Sequence, residues 1–191
     1  MTSVLEFQYA RSPRIRYLRN RIHDCVESIS IQFDGYGDEH VRGPGIYLAI
    51  VSGRSVDSFA ESMGANTWPT DICASVSDDI DAFHEAASTV AYSCDGGVCV
   101  GLDGTVLEQM VRFQSVRDED LPDSVTVGSL EYADWMGARH MSAYETSLRP
   151  EVLTTITLSE ETGRVTTFGG GGYETVTRDE IGSPWRTETS E

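Results

Sequence analysis

Six consecutive apolar residues, Ile46-Tyr47-Leu48-Ala49-Ile50-Val51, constrain this chain more than any other stretch of it. The run has strand length and no polar alternation. A strand without a polar face needs cover on both sides, which places it in the middle of a sheet. Cover is available. After Pro13, the residues Ile15, Leu18, Ile22, Val26 and Ile29 recur at helical spacing. A second stripe, Ile80, Phe83, Ala87 and Val90, follows the capping sequence Ser77-Asp78-Asp79. These features predict an α/β fold: a mixed central β-sheet flanked by helices, in a single domain.

The remaining elements follow from local signals. Gly53 to Val76 is mixed and reads as a short helix and a loop. Val98–Leu102 reads as a strand, Asp103-Gly104 as a hairpin turn, and Thr105–Phe113 as the return strand. Helix is expected between about Ser129 and Leu148, with a break at Gly137 and a stop at Pro150. Val152, Thr154, Ile156 and Leu158 alternate as a strand. Ser159–Gly163 turns, and Arg164–Phe168 is expected as the last strand. Gly169–Gly172 reads as a flexible break, and Tyr173–Glu191 as a polar, poorly ordered tail. The expected layout is an N-terminal helix and strand over 1–42 packed on a core domain at 43–168, then the break and tail at 169–191.

Charge narrows the partners. The chain has 14 basic and 31 acidic residues, a net charge of −17, and all the basic residues are Arg. Such an excess repels nucleic-acid backbones and anionic lipid, so no nucleic acid and no membrane partner is expected. It leaves room for a small anion held by a local group of arginines. An acidic, lysine-free surface also suits high salt, where screening weakens self-repulsion. Four arginines, Arg14, Arg16, Arg19 and Arg21, fall on the first helix, as a solvated face or a subunit contact. No apolar run is long enough to span a membrane, and Met1–Arg21 lacks the apolar core of a secretory signal. A cytoplasmic protein is expected. Cys25, Cys73, Cys94 and Cys99 lack metal-ligand spacing and read as reduced, buried thiols.

Three segments have the residue types for chemistry. Asp95-Gly96-Gly97 offers a carboxylate for a hard cation beside glycines that admit close approach to the backbone; taken alone it is an ordinary turn. Gly137-Ala138-Arg139-His140 offers a guanidinium fork for phosphate oxygens and an imidazole; taken alone it is a surface pair. Ser159-Glu160-Glu161-Thr162-Gly163-Arg164 combines a hydroxyl, two carboxylates and a turn glycine. The chain has no Walker phosphate loop, no dinucleotide glycine fingerprint and no nucleophile elbow.

In this order, the three segments resemble the diadenylate cyclase domain, the nucleotide-binding domain of DisA-type DNA integrity scanning proteins. That family carries Asp-Gly-Ala, then Arg-His-Arg after Gly-Thr, then Ser-Glu-Glu-Thr-Gly. Ser159–Gly163 matches throughout; Gly97, Ala138 and Met141 stand where the family has Ala, Thr and a second Arg. The resemblance covers about Ile80–Phe168, with an insertion near Arg117–Asp123.

The resemblance implies a cytosolic enzyme that condenses two ATP into cyclic di-AMP. Two ATP meet across a face-to-face homodimer, and each 3′-hydroxyl attacks the other's α-phosphate. It implies a catalytic, metal-ligating Asp95 and a second metal ligand in Glu161, holding Mg or Mn. It implies nucleotide contacts from Gly96, Gly97, Arg139, His140 and Ser159. Phe113 and Tyr92 are candidates for the adenine platform. Two other functions stay open: an adenine-nucleotide sensor of the same fold without turnover, suggested by Ala138 and Met141, and a scaffold docked through the basic first helix.

Overall fold

The structure, a computed structural model, describes residues 12–53 and 55–181. Helix α1 (Pro13–Gln32) begins where Ser12 Oγ accepts the Ile15 N–H and Pro13 takes the first turn, which needs no N–H donor. Strand β1 (Tyr47–Val51) is buried along its whole length. It is followed by β2 (Ala60–Thr67), α2 (Ile80–Ser93), β3 (Gly97–Gly101), β4 (Gln109–Phe113), α3 (Ala138–Ser147), β5 (Val152–Leu158), β6 (Val165–Gly169) and β7 (Gly172–Val176). The seven strands form one sheet in the order β2-β4-β3-β1-β5-β6-β7. Only β1 and β3 pair in parallel, Tyr47 opposite Gly97; the other pairs are antiparallel. The sheet is mixed and helices cover it, as the apolar run requires.

The alternating side chains of β1 divide the core. Leu48 and Ile50 face a cluster containing Leu18, Ile22, Val26 and Ile29 of α1 and Phe83, Ala87 and Val90 of α2. Tyr47, Ala49 and Val51 face the opposite cluster, with Phe59, Phe113, Ala143 of α3 and Phe168. The stripe residues of α1 and α2 are buried as expected, except Ile15, which is half-buried, and Ile80, which is exposed. Strand β5 departs from a half-exposed alternation: all seven residues are buried. Its threonines satisfy their hydroxyls locally, Thr154 donating to Phe168 O (2.7 Å) and Thr155 to Ala143 O (2.8 Å).

Four expectations need correction. Gly53–Val76 contains strand β2 and no helix among its described residues. β2 is an edge strand exposed over most of its length, so it carries no apolar period. Helix does not begin near Ser129; apart from a short 3-10 turn at Val127–Ser129, it starts at Ala138, and Gly137 caps it rather than breaking it. No strand occurs among residues 12–42, the described part of the N-terminal segment. The glycine run is not a loose break either. Gly170 and Gly171 have φ of +62° and +81°, the left-handed pair that a two-residue hairpin needs, and they join β6 to β7 with Gly169 opposite Gly172. The expected tail therefore contributes an edge strand and a buried Ile181, while residues 182–191 lie outside the described part.

The cysteines are free. Cys25, Cys73 and Cys99 are buried and Cys94 is half-buried. Burial pushes the Cys25 and Cys99 thiols up to about 12, so both are protonated and unreactive at neutral pH.

Candidate functional site

Two of the three sequence segments meet in a cleft of about 350 Å³ on the α3 side of the sheet. One wall is the start of α3: Gly137, Ala138, Arg139 and His140. The other is the β5–β6 turn, Ser159–Thr162 with Arg164, and Trp135 closes one end. Gly137 supplies no side-chain cap, so the first N–H groups of α3 are open at the positive end of the helix.

The turn is tied down on both sides. Ser159 N–H donates to Arg164 O and Gly163 N–H to Ser159 O, both at 2.9 Å, closing the loop. Ser159 Oγ accepts from Glu161 N (3.4 Å) and Thr162 N (3.3 Å), which leaves its O–H available as a donor. Ser30 of α1 donates to Gly163 O at 2.6 Å and anchors the turn to the helix layer.

Arg139 sits between two carboxylates, with Nη2 3.6 Å from Glu160 and 3.8 Å from Asp95. The second contact brings the third segment to the rim. The Asp95 side chain is 80% exposed, and its backbone carbonyl accepts from Asn66 Nδ2 at 2.8 Å. Gly45 passes beneath the guanidinium: a Cβ there would lie 2.4 Å from Arg139 Nη1. Gly97 allows a similar approach, since a Cβ would lie 2.3 Å from the Phe113 ring. Phe113 is thereby locked between Tyr47 and Phe59 in the core and presents no free face as a base platform. Tyr92 is exposed, with its ring edge against Phe33.

His140 is 5% exposed, and its Nε2 has no hydrogen-bond partner. Its ring meets Trp135 edge-on at 5.2 Å and Phe168 at 6.4 Å. Burial, reinforced by Arg139 and Arg164, pushes its pKa down to about 4. At neutral pH it is an uncharged donor or acceptor, so it adds no positive charge to the cleft.

Gly45 and Trp135 lie outside the three segments, and Glu160 and Arg164 lie inside the third without a role of their own. Gly45 follows Pro44 just before the buried strand. Trp135 lies in a loop where helix is expected. Arg164 depends on β7, because Nη1 donates to Thr175 Oγ1 (3.4 Å) on a strand the sequence does not reveal. Met141 packs against the apolar cluster around Tyr47 and does not line the cleft. Among the described residues, the one trio of side chains close enough to share a metal ion is His23, Asp24 and Glu27 on α1, away from Asp95 and Glu161.

No family model matches the chain, and no curated protein matches it. Among solved structures, the chain is similar to a hypothetical membrane-spanning protein from Bacillus cereus, with a TM-score of 0.54 and 15% identity. That likeness covers 83% of this chain, which spans 63% of the Bacillus chain, and it bears on the fold alone. A mutant of DacA from Staphylococcus aureus aligns over 94% of this chain and 100% of its own, with 12% identity. Its TM-score of 0.45 is too low to bear on fold or function. Among the described residues, no helix is long and apolar enough to cross a membrane.

Proposed function

We propose that the chain is a cytoplasmic diadenylate cyclase, which condenses two ATP into cyclic di-AMP and releases two pyrophosphates. One observation carries this reading: segments far apart in sequence, chosen for their order, come together around one cleft. Arg139, His140 and Ser159–Glu161 line it, and Asp95 lies 3.8 Å from Arg139 at its rim. In the proposed reaction each 3′-hydroxyl gives up its proton, its oxygen bonds to the other nucleotide's α-phosphorus, and the bond to the bridging oxygen breaks. Such a transfer depends on positioning and charge neutralisation. Arg139, the open α3 N–H groups and the Ser159 hydroxyl would hold phosphate oxygens, with His140 as a neutral donor. Gly96 and Gly97 would bring the chain close beside Asp95. One protomer presents one such cleft, so the two ATP require a face-to-face homodimer.

The donors on offer for a metal are carboxylate oxygens, which fit Mg or Mn. Asp95 and Glu161, both exposed, would hold the ion, with substrate oxygens completing its shell. Bound there, it would polarise the phosphate and acidify the hydroxyl. Purified protein with ATP and Mn is expected to yield cyclic di-AMP by chromatography, and Asp95→Asn to lower product by orders of magnitude while ATP still binds. Near-normal turnover by that variant would remove Asp95 from catalysis.

The Asp95–Arg139 contact favours a second reading, a nucleotide sensor without turnover, because a carboxylate facing a guanidinium is less available to a metal. Saturable ATP binding without product would select it. The acid excess is proposed as salt adaptation; a melting temperature that rises in concentrated KCl supports this, and an unchanged one refutes it.

A further inference from the structure

The cleft holds two arginines in different electrostatic settings. Two carboxylates already answer the charge of Arg139, Glu160 at 3.6 Å and Asp95 at 3.8 Å. Glu160 also reaches Arg42, at 3.7 Å. Among the described residues Arg164 has no carboxylate within 4 Å, although, added to the hydrogen bonds from Thr177, its charge helps hold the Glu180 carboxyl below the usual range. Arg164 sits over the Trp135 ring, Cζ 4.6 Å from the centroid. Among the described residues the guanidinium makes one hydrogen bond, from Nη1 to Thr175 Oγ1, which leaves most of its five N–H donors unused.

What lies between the two arginines points to a ligand. His140 Nε2 is buried, unpartnered and part of the cleft wall, and the first N–H groups of α3 have no side-chain cap. An anion with several oxygens would satisfy these donors together. Met141, where the family resemblance expects a second arginine, is packed into the core instead.

We propose that Arg164, held over Trp135, is the principal cation that grips the phosphate chain of a nucleotide in this cleft. The second positive charge then comes from the β5–β6 turn rather than from α3. This rests on the nucleotide reading of the cleft, but not on turnover. The contact with the Trp135 ring restrains the guanidinium before the ligand arrives, so less side-chain freedom is lost on binding. Arg139, already shared, acts mainly to orient.

The test is calorimetric titration of the full chain with inorganic tripolyphosphate and with ATP, at constant ionic strength. Wild type is expected to bind both. Arg164→Gln is expected to weaken both by about ten- to a hundredfold, and Arg139→Gln by less. Arg164→Lys, which keeps the charge and loses the planar fork, should fall between wild type and Arg164→Gln. Trp135 emission should change on binding in wild type and lose that change in Trp135→Phe. Wild-type affinity in a folded Arg164→Gln variant, a larger loss in Arg139→Gln, or no tripolyphosphate binding by wild type overturns the proposal. If Arg164→Gln does not fold, Arg164→Lys decides, and unchanged affinity there overturns it equally. Arg164-dependent binding without cyclic di-AMP rejects the cyclase and keeps this inference. Full cyclase activity in Arg164→Gln with unaltered ATP affinity rejects the inference and keeps the cyclase.

Discussion

The two faces of the sheet are built differently. Against one lie α1 and α2, of 20 and 14 residues, about 30 and 21 Å long at the usual rise. They bury a cluster of Leu, Ile, Val, Ala, Phe and Trp side chains. Against the other lies α3, only 10 residues long, and that face buries His140 and Arg149 among its aromatic rings. Arg149 is 3.3 Å from Asp120 and donates to Gln114 O and Ser115 O, fastening the 114–121 segment beside α3. The long helices cover their face with a continuous apolar cluster. The short one leaves its first turn standing over a hollow, and the chemistry gathers there.

The contrast can be broken by substitution. The largest stability loss is expected on the α1/α2 face. Phe83 is fully buried, 5.5 Å from Trp68, and Phe83→Ala should cost about 3–5 kcal/mol in urea unfolding. Ligand affinity per folded molecule should stay unchanged; a large change would mean the two faces are coupled.

Arg149→Ala comes next, about 1.5–3 kcal/mol, because Asp120 and two carbonyls lose their partner. Asp120 is partly exposed, which softens the loss. Hydrogen exchange should rise first in 114–121, and uniform exchange would contradict the fastening role.

His140 sharpens the comparison through pH. Its folded pKa of about 4 lies below the unfolded value of about 6.5, so between these values only the unfolded chain takes up the proton. The stability it contributes is complete above pH 6.5 and is lost as pH falls toward 4. From pH 7 to 5, wild type should lose about 2 kcal/mol more than His140→Gln. Equal losses would show that His140 is not held neutral.

The smallest effect is expected from Gly45→Ala. The new methyl meets the movable end of Arg139 and, at 3.0 Å, the Glu160 Cβ, so a stability loss of about 1 kcal/mol is expected. ATP affinity should fall severalfold as Arg139 is displaced, and unchanged affinity would place Arg139 outside the site.

The sequence was most legible where burial is one-sided and periodic, or complete. α1 and α2 showed their stripes, and β1 its unbroken apolar run. β2 and β7 stayed hidden because edge strands exposed to solvent need no apolar pattern. Gly169–Gly172 misled because flexibility and a tight left-handed turn share one composition. In the site, Arg139, His140 and Ser159 could be chosen because their segments carry a recognisable order. Trp135 and Arg164 could not, since their meeting depends on a loop that closes back and on a strand without signature. Local pattern reveals which groups are reactive, but not which of two similar charges lies close to a carboxylate.

The cysteines give the α1/α2 face a built-in handle. Two of the four thiols, Cys25 and Cys99, stay protonated inside the core, and Cys73 is buried as well. Cys94 is only half-buried and precedes Asp95 at the rim. A maleimide dye added at one equivalent would therefore settle mainly there, without any engineered residue. Its emission would follow how tightly the end of α2 packs against the α1/α2 cluster.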